Sequence, residues 1–369
     1  MAQWLNWGDG SDGSPNAISG TVNTYATCTG TAGQTVLTTA LSASDGDQIL
    51  IHQTQHATAA GTWEIVKVSS DAGTTLNLYS ALVNSYSTGA QCVLIPQYTG
   101  GTISGAVTGT AWNGSIGGII ALMSNGDLTV SGSITAPAGF TGGTGNAGAG
   151  GNQGNGTVGN GGASTSANGN GGGGGYSGAG GARGGGGAGG ANGANGSTGA
   201  DWTGGGGGTA TGGSASGIAA LTTSTFGGGG GAGGNDDGRS GAGAGGNGGG
   251  LIFIFSKNFT LSGTLLANAT AGATDSDNYC GTGGGGAGGS VLIKTQVGIL
   301  GTNLITVAAG AGGTTSRGTE CGGFGGAGSV GRIRCDYFTS VSGSTTPTLS
   351  SAQDPTLNVA GGSGFFNFF

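Results

Sequence analysis

Two copies of one short β-strand pattern stand on either side of a 110-residue stretch, 141–250, in which 52 residues are glycine. After a Gly-Gly, the first copy runs from Ile119 to Gly139 (IIALMSNGDLTVSGSITAPAG) and the second from Leu251 to Gly272 (LIFIFSKNFTLSGTLLANATAG). A third runs from Val291 to Gly312, and a shorter one from Val330 to Gly343. Each has an apolar strand, a polar turn, a second strand around a Ser/Thr-Gly step and an exit into glycine. Runs such as Leu251-Ile252-Phe253-Ile254-Phe255 are too short for a buried helix and are bounded by glycine, so they read as strands. A glycine tract between copies of a repeat has both ends held by adjacent layers, which sets it apart from a linker between unlike domains.

Ordering such a tract costs roughly 1–2 kcal/mol per residue in backbone entropy, and glycine loses the most. Its side chains cannot offset that. Extended threefold chains can, because glycine lets neighbours approach closely and pair through their backbones. The runs 171–175, 184–187, 204–208, 227–231 and 248–250 supply such segments, and Tyr176, Trp202, 218–221 and Phe226 read as turns and apolar anchors between them. The expectation is an ordered polyglycine-type bundle or sheet, with a mobile coil as the alternative.

Residues 1–115 have another texture. The segments 47–53, 62–69, 74–79 and 91–98 alternate or run apolar at about ten-residue spacing with turn signals between them, which predicts a small β-sandwich or barrel. The expected fold class is therefore all-β. A β domain over 1–115 precedes a layered, β-helix-like body over 116–343 with its glycine-rich insertion at 141–250. An extended arm, 344–369, ends in Phe365, Phe366, Phe368 and Phe369.

Only 6% of residues are charged, the formal net charge is −7, and the eight Lys and Arg are scattered. This lacks the basic footprint of a nucleic-acid partner. No apolar stretch is long enough to span a bilayer. The N-terminus has no basic, then apolar, leader, so export would need lysis, a dedicated exporter or a longer precursor. Cys280 and Cys321 occupy matching places in consecutive copies and Cys28 and Cys92 share the N-terminal domain, so two disulfides are expected, with Cys335 unpaired. That points to an oxidising, extracellular setting.

A search for catalysis finds no motif. His52 and His56 lie about 13 Å apart if extended, too far to share one metal. Glu64 and Glu320 are the only glutamates and form no pair for glycoside chemistry. Acidic turns such as Asp9/Asp12 and Asp275/Asp277 match no calcium loop. The expectation is a protein without catalytic residues, metal or cofactor. Trp4 and Trp7 flank a polar turn and either cap their own domain or plug a neighbour. The phenylalanine-tipped arm either folds back or docks into another copy, and a head-to-tail contact that does not close builds a filament.

The small β domain, the GGxGG-rich tracts and the recurrent strand–Ser-Gly–strand copies over roughly 115–335 resemble glycine-rich surface and fibre proteins of environmental bacteria and their phages. They also look like phage tail-fibre adhesins whose tips are polyglycine-II bundles. The resemblance implies an extracellular structural or adhesive role. The leading expectation is a filament subunit whose partners are other copies of itself. The runner-up is an adhesin that binds a host receptor or cell-surface glycans through its glycine-rich loops.

Overall fold

A computed structural model describes residues 7–144, 170–176, 184–201, 209–236, 240–277, 279–315 and 323–358. The chain is all-β, with no α-helix among the described residues. After the two-residue β1 (Gly20–Thr21), six antiparallel strands close a barrel. These are β2 (Thr24–Gly30), β3 (Val36–Thr39), β4 (Gln48–Gln53), β5 (Trp63–Asp71), β6 (Thr75–Leu78) and β7 (Ala90–Ile95), in the order β2-β3-β6-β5-β4-β7. Alternation sends Leu37, Ile49, Ile51, Val68 and Leu76 into the barrel. Leu50 and Val93 point the other way and join a core shared with the second sheet. β4 is thus buried along both faces, which is why its sequence, QILIHQ, lacks a solvent side.

The second unit is a large curled parallel sheet. Its strands are β1, which pairs with β10, and β8 (Gln97–Tyr98), β9 (Gly101–Ile103), β10 (Ala106–Thr108), β11 (Ile119–Val130), β12 (Ser133–Thr135), β13 (Leu251–Leu261), β14 (Thr264–Leu266), β15 (Ser290–Thr306), β16 (Arg332–Thr346) and β17 (Ser350–Gln353). The repeat copies lie side by side in register, Ile119 beside Leu251, Leu251 beside Ser290, and Ser290 beside Arg332. Inside the curl, Ile120, Leu122, Ile252, Ile254, Val291 and Ile293 form one core. On the opposite face Ala121, Met123, Phe253, Phe255 and Leu292 pack towards the barrel. Two covered faces explain the unbroken apolar runs. Beyond a bulge between Ser124 and Asp127 the outer face meets solvent and ordinary alternation returns.

Two expected boundaries shift. β8 to β10 precede residue 115 yet pair with the parallel sheet, because their short apolar runs continue its curl. The first part of the C-terminal arm is no free extension either, since β17 pairs with Arg334–Tyr337 of β16 and Leu357 is buried.

The glycine segments lie against one another and pair through their backbones. From Gly281 to Gly289, nine consecutive amides donate to three neighbours in rotation. Gly281, Gly284 and Ala287 donate to Gly234, Gly231 and Gly228 at 2.8–2.9 Å. Thr282, Gly285 and Gly288 donate to Gly323, Gly326 and Ser329, and Gly283, Gly286 and Gly289 to Ala273, Thr270 and Ala267, at 2.8–3.1 Å. A donor direction that returns every third residue is that of a three-residue-per-turn extended helix. The bundle draws on residues well beyond the expected insertion at 141–250, taking in 267–273, 281–289, 310–313 and 323–331.

Close approach fixes the residue type. A Cβ built at Gly284 would lie 2.0 Å from the Ala188 carbonyl oxygen, and one at Gly285 the same distance from that of Gly310. We expect Gly285→Ala to cost about 2 kcal/mol or more by overpacking against backbone. Ala327→Ser, at an exposed place, should change stability by less than about 0.5 kcal/mol. Chemical denaturation of the two variants checks the difference.

Candidate functional site

Three places combine unusual chemistry with access. The first is the seam between barrel and glycine bundle. His52 on β4 is fully buried, its Nδ1 2.9 Å from Thr54 Oγ1 and its Nε2 2.8 Å from the Ser224 carbonyl oxygen. Its ring stacks on Phe226, with centroids 5.9 Å apart. Trp63 Nε1 donates to the Leu221 carbonyl at 2.8 Å, and Thr62 bridges to Thr223. Burial pushes the His52 imidazole down to about 4, with the Ser224 carbonyl acting in the opposite direction. The ring is neutral in the fold and protonates near pH 6.5 once exposed.

The sign follows from that difference. Below about pH 6.5 the unfolded chain binds a proton that the folded chain refuses, so stability falls as pH drops towards 4. A displacement of this size corresponds to about 3 kcal/mol. Urea denaturation at pH 7 and pH 4.5 should show the loss, and His52→Gln should remove most of the pH dependence in that interval.

The second place is the last layer of the parallel sheet. At the opposite end, the first layer is capped by residues 12–16. Gln97 N–H donates to Asp12 Oδ2 at 2.7 Å, Thr99 N–H to the Gly13 carbonyl at 2.8 Å, and Thr102 N–H to Asn16 Oδ1 at 2.7 Å. The last layer is covered only in part. β17 pairs with Arg334–Tyr337, and from Thr339 to Thr346 the outer edge of β16 meets no strand among the described residues. In the adjoining glycine segment, the amides of Phe324, Ala327 and Val330 have no acceptor among the described residues, while the residues between them donate inward.

The third place is a cavity of about 160 Å³ beside Trp63. Lys294 Nζ lies 3.0 Å from Asp336 Oδ2 and 3.7 Å from Asp354 Oδ2, and Arg334 Nε donates to Asp336 Oδ1 at 2.6 Å. Burial alone would raise the Asp354 carboxyl. Hydrogen bonds from Thr356 and the Lys294 ammonium hold it below its ordinary value.

Several expected site residues stand differently. Trp7 is buried, 2% exposed, so it serves its own chain and offers no surface to a neighbour. Trp4, Phe365, Phe366, Phe368 and Phe369 lie outside the described residues. Cys28 and Cys92 are buried free thiols, which corrects the expected bridge. Cys92 registers opposite Ala26, leaving Cys28 two residues along on the diagonal. Diagonal neighbours sit about 7–8 Å apart, whereas a disulfide needs Cα atoms within about 7 Å. Burial raises the Cys92 thiol, and the Cys28 thiol beside it adds to the effect. Cys280 is likewise a buried free thiol, and Cys321 lies outside the described residues. Cys335 is free in the inner core.

His56 accepts the Thr58 and Ala59 amides in a local turn. Among the described residues no three His, Cys, Asp or Glu side chains are placed to hold a metal, and no helix is long and apolar enough to cross a membrane. Comparison with protein-family models, curated proteins and solved structures finds no match.

Proposed function

We propose that this chain is a structural subunit of a self-assembling extracellular filament, joined head to tail through its C-terminal arm. In this reading its body is a β-helix-like stack backed by a polyglycine-II-type bundle. The observation that carries it is the polarity of the stack. One end is closed by Asp12, Gly13 and Asn16, while the other ends in a stretch of β16 that meets no strand among the described residues, beside the Phe324, Ala327 and Val330 amides, which find no acceptor among them. Unpaired parallel edges are templates for further chain, and a repeating contact that does not close propagates as a fibre. Asn358, the last described residue, lies at that open end, where Gln296 Nε2 donates to the Leu357 carbonyl at 3.0 Å. Such a role needs other copies of the chain and no catalytic residue, cofactor, nucleic acid or bilayer insertion.

Negative-stain microscopy of the purified protein tests this. Long uniform filaments are expected. Deletion of 361–369 should leave soluble monomers, and so should Ser342→Lys with Ser344→Lys, which puts charge on the open edge. Filaments that survive both changes would sink the head-to-tail scheme.

One observation favours the adhesin reading. Segment ends at Tyr176, Gly184, Ala200, Gly234, Tyr279 and Gly323 converge at one end of the bundle through mutual backbone bonds of 2.8–3.2 Å. The barrel holds the other end through Thr223 and Ser224. A bundle gripped at one end, with these segment ends gathered at the other, suits display to a host receptor. Discrete particles that bind cells, with no filaments at any concentration, would favour it.

A further inference from the structure

The cavity beside Trp63 has no part in either assembly scheme, and a monomer would carry it as well as a filament would. It forms where four parts of the chain meet. Trp63 comes from the barrel, Ala220 and Thr222 from the glycine excursion, Lys294 and Asp336 from β15 and β16, and Asp354 from the C-terminal segment. Lys294 and Asp336 are registered neighbours on the outer face of the sheet. Just before them that face is apolar and meets the barrel, so the charges begin where the barrel's cover ends.

We propose that this cavity binds a neutral, polyhydroxylated ring of monosaccharide size. Three features select that class. The first is the aromatic wall. Trp63 is fixed at its edge by the Leu221 carbonyl and backed by Phe253 and Phe255, with centroids 5.1 and 6.3 Å away. A tryptophan held in this way presents a preorganised apolar surface to the C–H face of a sugar ring. The second is charge balance. Lys294, Arg334, Asp336 and Asp354 sum to zero, so a charged ligand would meet repulsion from one pair for any attraction from the other.

The third is unused hydrogen-bonding capacity. The Lys294 ammonium carries three donors and has carboxylate oxygens at 3.0 and 3.7 Å. Asp354 Oδ1 is taken by the Thr356 amide and hydroxyl at 3.0 and 2.6 Å. Oδ2 lies 3.7 Å from Lys294 Nζ and accepts no hydrogen bond of 3.5 Å or less among the described residues. A ligand hydroxyl can therefore donate to Asp354 Oδ2 and accept from Lys294 Nζ at once. The wider cleft of about 520 Å³ along β2 and β3 offers a contrast, since its lining has neither an aromatic nor a charged side chain.

The test uses the full chain with glucose, galactose, mannose and N-acetylglucosamine as probes, followed by saturation-transfer NMR and calorimetry, with acetate and ammonium as charged controls. Saturable one-to-one binding of at least one sugar, and none of either control, is expected. Asp354→Asn keeps the Oδ1 acceptor that caps Thr356 and replaces Oδ2 by a donor, so the local turn should survive while sugar affinity falls about tenfold or more. Trp63→Leu should weaken binding similarly, with circular dichroism reporting whether the fold persists. The proposal is overturned if no sugar saturates, if a charged control binds in its place, or if Asp354→Asn leaves the affinity unchanged.

Discussion

Backbone hydrogen bonding between glycine segments, in three directions at once, is the constraint on which the rest of the molecule depends. An ordinary sheet strand pairs on two sides and leaves its faces to side chains. The segment Gly281–Gly289 donates to neighbours in three directions, and most of its residues have no side chain to bury. Order there comes from satisfying N–H and C=O groups in a region shielded from water, where an unmet group would be costly. It also ties the layers together. Bundle segments lead into β13, β15 and β16 and follow β12, β14 and β15, so sheet register and bundle register must agree.

This dependence explains where apolar side chains occur. Most of the large buried ones lie in the barrel interior, the inside of the curl, and the shared core that joins barrel to sheet. The seam between barrel and bundle is held by a few specific groups. His52, Trp63 and Thr62 reach across to Ser224, Leu221 and Thr223. A neutral, buried imidazole at that seam makes it the acid-sensitive joint of the chain.

Much of the fold was legible in the residues. Leu251–Phe255 reads as a strand covered on both faces, and the first two β-strand copies fall in register as their alignment implies, Ile119 beside Leu251, whereas the third and fourth are shifted by one and by three residues, Ile252 beside Val291 and Val291 beside Ile333. The glycine runs 171–175, 184–187, 227–231 and 248–250 mark the interior of the bundle, while 204–208 and Trp202 lie outside the described residues. A finer signal sits in Gly323–Val330, where Phe324, Ala327 and Val330 recur every third residue and their amides find no acceptor among the described residues. Side chains at that period mark an outer surface, and this spacing could have located the edge of the bundle beforehand. Other parts were not legible. The short runs at 97–108 look like the barrel strands before them, and only pairing assigns them to the second sheet. A shared domain did not imply a Cys28–Cys92 bridge, because the stagger of β2 on β7 is invisible in spacing. The cavity at Trp63 joins residues up to 294 positions apart (Trp63 to Leu357), with no local motif to announce it.

The account stands or falls on whether the glycine amides are paired, and amide hydrogen exchange read by mass spectrometry measures this directly. Peptides covering 281–289 should exchange as slowly as those from β15, because both are protected by backbone bonds in one cooperative unit. Exchange of 281–289 at the rate of an unstructured glycine-rich chain, with β15 still protected, would contradict the central claim.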